Sequence, residues 1–496
     1  MEPLIALLDA RIWLPTGLPD KFARELLRQF RHDNPDFWKK KRMGFSTFGS
    51  KPHIETAGWD VRRGDEEAGP RVSLPRGGTN RLREVAKAHG FDVKWRDLRT
   101  EHVVKFPRFV VDPDDDTKML RDYQEQVIEK SIAREQGIVR APTGSGKTAA
   151  LLALIYRLGQ RSIVIMRDSN LLKQWLRAAV RCLGLDPSEI GQLYGGKPFV
   201  SGKRLTLALQ QTLHSRRKDL DEMLEREPHG AVFIDEAQTL GARTYQETIN
   251  HFPCRYRIGF SADETRKDKK EFLTYDTMGE VIETIERSAV EAVGAIHPVT
   301  VRVVQTKFRA DWYRDAEPAA RDHQALIDSM TMDEDRNRLL LDLVARIVEA
   351  QETPLLVFTH RRDHVTELAK RITAGTGYRC GELLGGKGSS KQYQATIGQL
   401  LARTLQVAVG TFSAVGTGID LPVVQSGLCA TPISALNRQF FGQVRGRICR
   451  TSQGKTEALL YYLFDEEVFG REYIRKIKKW NEGNIEAQRG QGWIAL

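Results

Sequence analysis

The 496-residue chain reads as α/β, with two tandem parallel-sheet domains behind a small α+β N-terminal domain. Three observations carry this. Short apolar, β-branched runs alternate with helical stretches, and the alternation occurs twice, over about 117–300 and about 301–465. A glycine-rich loop joins a strand-like run to an apolar helical run near the start of the first series. The acidic, proline-containing stretch Val111-Asp112-Pro113-Asp114-Asp115-Asp116 separates both series from a segment of different composition. The expected organisation is residues 1–112 as an N-terminal domain, 113–300 and 301–465 as the two sheet domains, and 466–496 as a helical tail.

The N-terminal segment is basic and rich in tryptophan. Residues 1–110 hold 22 Lys/Arg against 15 Asp/Glu, which is +7 of the chain's net +11, and four of the eight tryptophans: Trp13, Trp38, Trp59 and Trp95. Cations interleaved with rings suit a polyanion that carries bases, and equally suit a small core with a solvated face. Lys39-Lys40-Lys41-Arg42 is the densest phosphate-binding candidate. The Asp112–Asp116 stretch then reads as a linker.

In the first series, Gly137–Arg140, Ser162–Met166, Ala231–Ile234 and Arg257–Phe260 read as buried strands, and Lys147–Leu158 as a helix. In the second, Leu355–Phe358 and Gln406–Val409 read as strands and Leu339–Ala350 as a helix. At 41% hydrophobic and 28% charged residues, the composition excludes a disordered or collagenous chain. No apolar run approaches the length of a membrane span. Met1-Glu2-Pro3-Leu4 lacks a basic n-region and Leu4–Leu8 is too short for a signal core, so a cytoplasmic or nucleoid-associated location is expected. Five scattered cysteines with no CxxC pair suit a reducing compartment and small core positions.

The strongest chemical signal is Ala141-Pro142-Thr143-Gly144-Ser145-Gly146-Lys147-Thr148, a Walker A pattern with Ala at the first Gly position. Gly144 and Gly146 let backbone N–H groups curl around a phosphate, alongside Thr143 and Ser145, and the helix that follows aims its N-terminus there. Lys147 can reach the β- and γ-phosphates, and the Thr148 hydroxyl can ligate Mg²⁺. Asp235-Glu236-Ala237-Gln238 follows a buried strand 88 residues later. Asp235 suits the Mg²⁺ and Glu236 the activation of water at the γ-phosphate. In Gln443-Val444-Arg445-Gly446-Arg447-Ile448-Cys449-Arg450, Arg447 and Arg450 share one face if the segment is helical, and suit stabilisation of the charge that develops on that phosphate.

Together the Walker A, DEAQ and QVRGRICR segments resemble motifs I, II and VI of superfamily 2 helicases. Leu120-Arg121-Asp122-Tyr123-Gln124 resembles the Q-motif, which implies that Gln124 reads the adenine. Ile163–Met166 with Leu171-Leu172-Lys173-Gln174-Trp175 resembles motif Ia, Gly259-Phe260-Ser261-Ala262-Asp263 motif III, and Val357-Phe358-Thr359-His360 motif IV. Gly410-Thr411-Phe412-Ser413 through Gly416-Thr417-Gly418-Ile419-Asp420-Leu421-Pro422 resembles motif V, implying that Gly418 and Asp420 lie near ribose and phosphates. The resemblance covers about 120–455. Within the superfamily the chain is most similar to the XPB-like branch, which includes UvsW-type phage helicases. Ser73-Leu74-Pro75-Arg76-Gly77 with Asp97-Leu98-Arg99 resembles a signature found ahead of that core, and Arg266-Lys267-Asp268 resembles that branch's Arg-Glu-Asp element with Lys267 for Glu. Asp263 and Gln238 are further departures.

The resemblance implies two RecA-like domains that bind ATP and Mg²⁺ between them and catalyse DNA-stimulated ATP hydrolysis. Lys147, Asp235, Glu236, Gln238, Arg447 and Arg450 would be catalytic. Gln174, Gln211, the Leu207–Leu213 loop region, Arg266, Thr411 and Arg76 would contact nucleic acid. The expected partner is duplex, forked or branched DNA, in repair, recombination or defence. A duplex translocase without strand separation and an RNA helicase use the same core and remain open at this point, as does an ATP-gated clamp. Tyr473–Trp480 reads as a DNA-contacting or packed amphipathic helix.

Overall fold

The structure is a computed structural model. It describes residues 1–496 apart from 64, 116, 197, 200–201, 238–242, 263–268, 318–319, 385–390, 417–420, 433–437, 482–483, 490–491 and 496. The chain divides into two compact units: Met1–Pro142 with Gly146–Glu286, and Arg287–Leu496 with Thr143–Ser145.

Among the described residues the first unit holds the two-stranded pair Arg31–Asp33 and His53–Glu55 and two large sheets. The smaller is mixed and five-stranded, in the order Gly58–Asp60, Arg71–Leu74, Ile12–Trp13, Glu2–Leu8, Phe91–Asp97. Its first and last strands in sequence pair in parallel, with Glu2 opposite Phe91 and Leu8 opposite Asp97. Leu4, Ala6, Phe22, Leu26, Phe30, Val72, Leu74 and Leu82 form its core with the helices Asp20–Arg28 and Thr79–Ala88. Of the four tryptophans here, Trp13 joins the buried set, with its indole donating to Asp9 Oδ1 at 2.8 Å, whereas Trp38 and Trp59 are exposed.

The larger sheet has seven parallel strands, in the order Ile190–Leu193, Leu205–Leu209, Ser162–Met166, Ala231–Asp235, Tyr256–Ser261, Gln136–Arg140, Val281–Thr284. The four strand runs read from the sequence form its centre, where strands buried on both faces show as continuous apolar runs. Leu207–Leu213 is not a loop. It is the end of the strand Leu205–Leu209 running directly into the helix Gln210–Ser215. Four consecutive apolar or Thr positions buried against Ser162–Met166 hold it in the sheet.

The segment after the small sheet is docked along its length. Thr100 N–H donates to Pro253 O at 2.8 Å, Val104 N–H to Gly159 O at 2.8 Å and Val110 N–H to Cys182 O at 3.0 Å. The acidic stretch is tied as well: Lys118 Nζ lies 2.6 Å from Asp112 Oδ2, and Arg181 pairs with Asp114. The expected linker is therefore a strap on the first parallel-sheet domain, since both its backbone and its carboxylates find partners there.

The second unit contains one sheet of eight strands. The order is Cys380–Leu383, Val407–Thr411, Leu355–Thr359, Ser426–Cys429, Ala458–Phe464, Val299–Gln305, Ile485–Arg489, Gly492–Ala495. All neighbours are parallel except the last pair. Among its described residues the tail is helical over Glu466–Phe469 and Arg471–Asn481 and is not helical throughout. Its end forms a hairpin that extends the sheet, and Asn481 Nδ2 donates to Val299 O at 2.9 Å. Tyr473 and Ile477 of the second helix are buried, which is the packed amphipathic alternative. Arg336 and Asp465, both fully buried, pair at 3.0 Å beneath the sheet. None of the helices among the described residues is long and apolar enough to cross a membrane.

Candidate nucleotide site

The glycine-rich loop leaves the strand Gln136–Arg140 and enters the helix Lys147–Leu158, whose Ala150–Ile155 stretch is buried. Gly144 (φ +90°) and Gly146 (φ +79°) adopt the left-handed conformation that the turn requires. A Cβ on Gly146 would come within 2.4 Å of Gln124 Nε2. Gln124 is buried, donates to Gly146 O at 3.2 Å, and accepts from Arg121 N–H at 2.9 Å. The Q-motif glutamine therefore buttresses the loop while capping its own helix.

Lys147 Nζ reaches back to Ala141 O at 3.3 Å and lies 3.9 Å from Glu236 Oε1. Asp235 ends the strand Ala231–Asp235 and is buried, accepting from Trp175 Nε1 at 2.8 Å and from Glu236 N–H at 3.0 Å. Burial, then the neighbouring Glu236 carboxylate, push its pKa up to about 6 against the opposing pull of Lys147. Glu236 has φ +60°, a strained conformation for a side chain of its size, of the kind that collects at functional sites. Sequence reasoning placed Trp175 only in the motif Ia resemblance and missed its bond to Asp235. Its spacing from Asp235 carries no signal, and only the packing of the helix Ser169–Leu183 brings the indole to the carboxylate.

These residues fit a nucleotide with a divalent cation. The loop offers backbone N–H groups where side chains are absent. A cation beside Asp235 would restore the charged form that burial disfavours, with Thr148 the neighbouring hydroxyl ligand. Gln238, Gly418, Asp420 and Arg266 lie outside the described residues.

Several expected contacts are corrected. Arg76 is 0% exposed. Its guanidinium donates to Gln136 Oε1 at 2.9 Å, Cys254 O at 2.6 Å and Arg255 O at 3.0 Å. A side chain so enclosed cannot meet a phosphate. Beside it, a Cβ on Gly77 would sit 1.9 Å from Tyr275 O. The Pro-Arg-Gly signature is thus a docking point of the N-terminal domain on the helix Glu271–Met278. Its companion Arg99 bridges Asp97 and Glu135, each at 2.7 Å. Arg257, also buried, donates to Ala10 O at 3.0 Å across the same junction.

Thr411 is buried as well, and its hydroxyl accepts from Ala414 N–H at 3.2 Å, capping the short helix Phe412–Gly416. Ser413 beside it is exposed. The helix Arg438–Ile448 ends before Arg450, so Arg447 and Arg450 do not share a helical face; the backbone of Arg450 forms an isolated antiparallel bridge with Ile296. Arg445 on that helix is engaged by Trp480 O at 2.8 Å. Gln174 is half-buried and Gln211 exposed, each on a helix that follows a sheet strand.

A Walker loop, a strand-end Asp-Glu pair and two largely parallel sheets in series are the features by which the chain resembles the motor core of superfamily 2 helicases. Residues 117–265 match the family described as type III restriction enzyme, res subunit, and the chain is a homologue of the XPB/Rad25 DNA helicases. It is 24% identical over 370 residues to the putative DNA 3'-5' helicase Rad25 of Halobacterium salinarum, covering 72% of this chain and 57% of that protein. Over 375 residues it is 25% identical to the DNA 3'-5' helicase XPB of Kineococcus radiotolerans, covering 73% and 63% respectively. Each relative thus extends well beyond the matched length. The solved structure of S. cerevisiae Dbp5 bound to RNA and ADP BeF3 superposes with a TM-score of 0.53 at 12% identity, over 75% of this chain and 90% of that one, and shows the shared RecA-like fold.

Proposed function

We propose that the protein is an ATP-driven DNA helicase or translocase acting on duplex or branched DNA. The observation that carries this is the convergence of Lys147, Asp235 and Glu236 at the ends of adjoining elements, beside a loop that only glycine can form. In this reading Lys147, Gly144, Gly146, Thr143 and Ser145 hold the triphosphate, and Gln124 supports the loop at the adenine side. Thr148 and Asp235 hold Mg²⁺, which supplies charge neutralisation at the phosphates. Glu236 orients and deprotonates the attacking water, while Arg447 and Arg450 of the second unit neutralise charge on the transferred phosphoryl group. Gln238, Gly418 and Asp420 complete the set by resemblance alone. The domain limits 1–112, 113–300, 301–465 and 466–496, and a cytoplasmic or nucleoid location, belong to the same proposal. Translocation on duplex DNA without strand separation is the second reading, favoured by similarity over 163 residues, at 26% identity, to a protein named DNA 3'-5' translocase XPB2 of Sulfurisphaera tokodaii.

Steady-state ATPase assays with and without DNA test the proposal. Lys147→Ala should abolish stimulated turnover, a loss on the order of 10³-fold or more. Near-normal turnover in that variant would reject the site. Strand-displacement and triplex-displacement assays then separate the two readings.

A further inference from the structure

Residues 34–52 stand out from the N-terminal domain. The short antiparallel pair Arg31–Asp33 and His53–Glu55 brackets them, and none of the residues of the helix Pro35–Arg42 is buried. That helix nevertheless carries Phe37 and Trp38, followed by Lys39, Lys40, Lys41 and Arg42. Apolar side chains on the helix and beyond it turn to solvent: Trp38 is 37%, Met43 44%, Phe45 61% and Phe48 98% exposed. From Phe37 to Ile54 the sequence has five Lys/Arg and no Asp or Glu. Cations in a last helical turn answer the helix dipole. Four in succession exceed what one helix end calls for, and the dipole gives no reason for exposed rings beside them.

The root of this segment is firm. Asn34 N–H donates to Pro52 O at 2.9 Å and its side-chain amide to Lys51 O at 2.8 Å. Asp36 pairs with Lys270 at 2.6 Å. The His32 ring stacks on Phe272 with centroids 4.1 Å apart and meets Asp276 at 2.9 Å. An exposed aromatic and cationic tip on an anchored base is a surface built for a partner, and its charge selects a polyanion.

We propose that residues 34–52 form an arm that grips DNA where duplex meets single strand. Lys39, Lys40, Lys41 and Arg42 bind backbone phosphates, and Phe45 and Phe48 stack on the bases exposed at the junction. The arm rests on the reading of this chain as a DNA motor and names the part that recognises the substrate's shape. Rings serve at a junction because only unpaired or terminal bases offer a free face; the cations serve along any backbone.

Equilibrium binding of the full chain to fluorescein-labelled forked, blunt duplex and single-stranded DNA, without nucleotide and across a salt series, tests this. Replacing Lys39, Lys40, Lys41 and Arg42 together by Ala should weaken binding to all three DNAs at least about tenfold and reduce the salt slope by about 3 to 4. Phe45→Ser with Phe48→Ser should leave the slope intact and cut the preference for the fork over the blunt duplex about tenfold. Both variants should keep wild-type thermal melts and DNA-free ATPase. Unchanged affinity and slope in the first variant overturn the proposal. So does loss of binding to phosphatidylglycerol vesicles with DNA binding intact, which would make the arm a membrane contact. Failure of the motor reading shows separately, as ATPase that survives Lys147→Ala.

Discussion

Asp235 and Asp276 are both buried in the first unit, yet their carboxyl groups are displaced in opposite directions. Asp235 is pushed up to about 6 by burial and by Glu236 beside it. Burial acts on Asp276 in the same sense, but the His32 ring, the Arg81 guanidinium and the Thr56 hydroxyl converge on its two oxygens and hold it below the usual carboxylate range. The difference teaches that depth alone does not decide what a buried acid is for. Asp276 has its charge answered by side chains of the N-terminal domain, so it is a fastening. Asp235 has an indole, one backbone N–H and a lysine shared with a second acid, so its charge is best answered by a cation from outside.

The largest effect should come from Asp235→Asn. ATPase should fall on the order of 10³-fold. The nucleotide- and Mg²⁺-free protein should gain about 1–3 kcal/mol of stability at pH 7.5. The sign follows from a folded pKa of about 6 above the ordinary 3.8. Ionisation in the folded state costs stability as pH rises through that interval, so the gain should shrink in melts at pH 5 and equal melting temperatures at pH 7.5 would break the contrast. Next, Asp276→Asn should cost about 2–4 kcal/mol in urea unfolding, because a guanidinium is left facing a neutral amide in a buried site. Its lowered pKa places the lost stability above the ordinary carboxylate range, to vanish as pH falls below it. Turnover per folded molecule should hold, and a collapse of turnover would make Asp276 part of the nucleotide site. The smallest effect is Trp175→Phe, which removes one donor from Asp235. About 1 kcal/mol of stability should be lost at neutral pH, and the Asp235 titration, followed by carboxyl NMR, should move further upward.

The same junction explains what could and could not be read in advance. The Walker loop was legible because its chemistry is local: a strand, two glycines at positive φ and a helix start lie within a dozen residues. The central strands were legible because burial on both faces leaves an unbroken apolar run. Outer strands such as Cys380–Leu383 and Ile190–Leu193 are short and mixed, and their pairing, not their composition, makes them strands. Arg76 misled for a related reason. Its charge suggested a phosphate, while its partners are carbonyls at Cys254 and Arg255, nearly 180 residues away in the chain. Thr411 repeats the lesson, since its hydroxyl caps the short helix that follows it.

By itself, then, the sequence determined the α/β class, the phosphate loop and the identity of the strand-end carboxylates, because each depends on backbone conformation and periodicity within a short window. Only the tertiary structure decided which charges are spent inside the molecule and which face outward. Arg76, Arg99 and Asp276 join the N-terminal domain to the first parallel sheet, while Lys39–Arg42 stand clear of any core. The physical reason is that a charge takes its meaning from its surroundings, and groups far apart in the chain supply those surroundings.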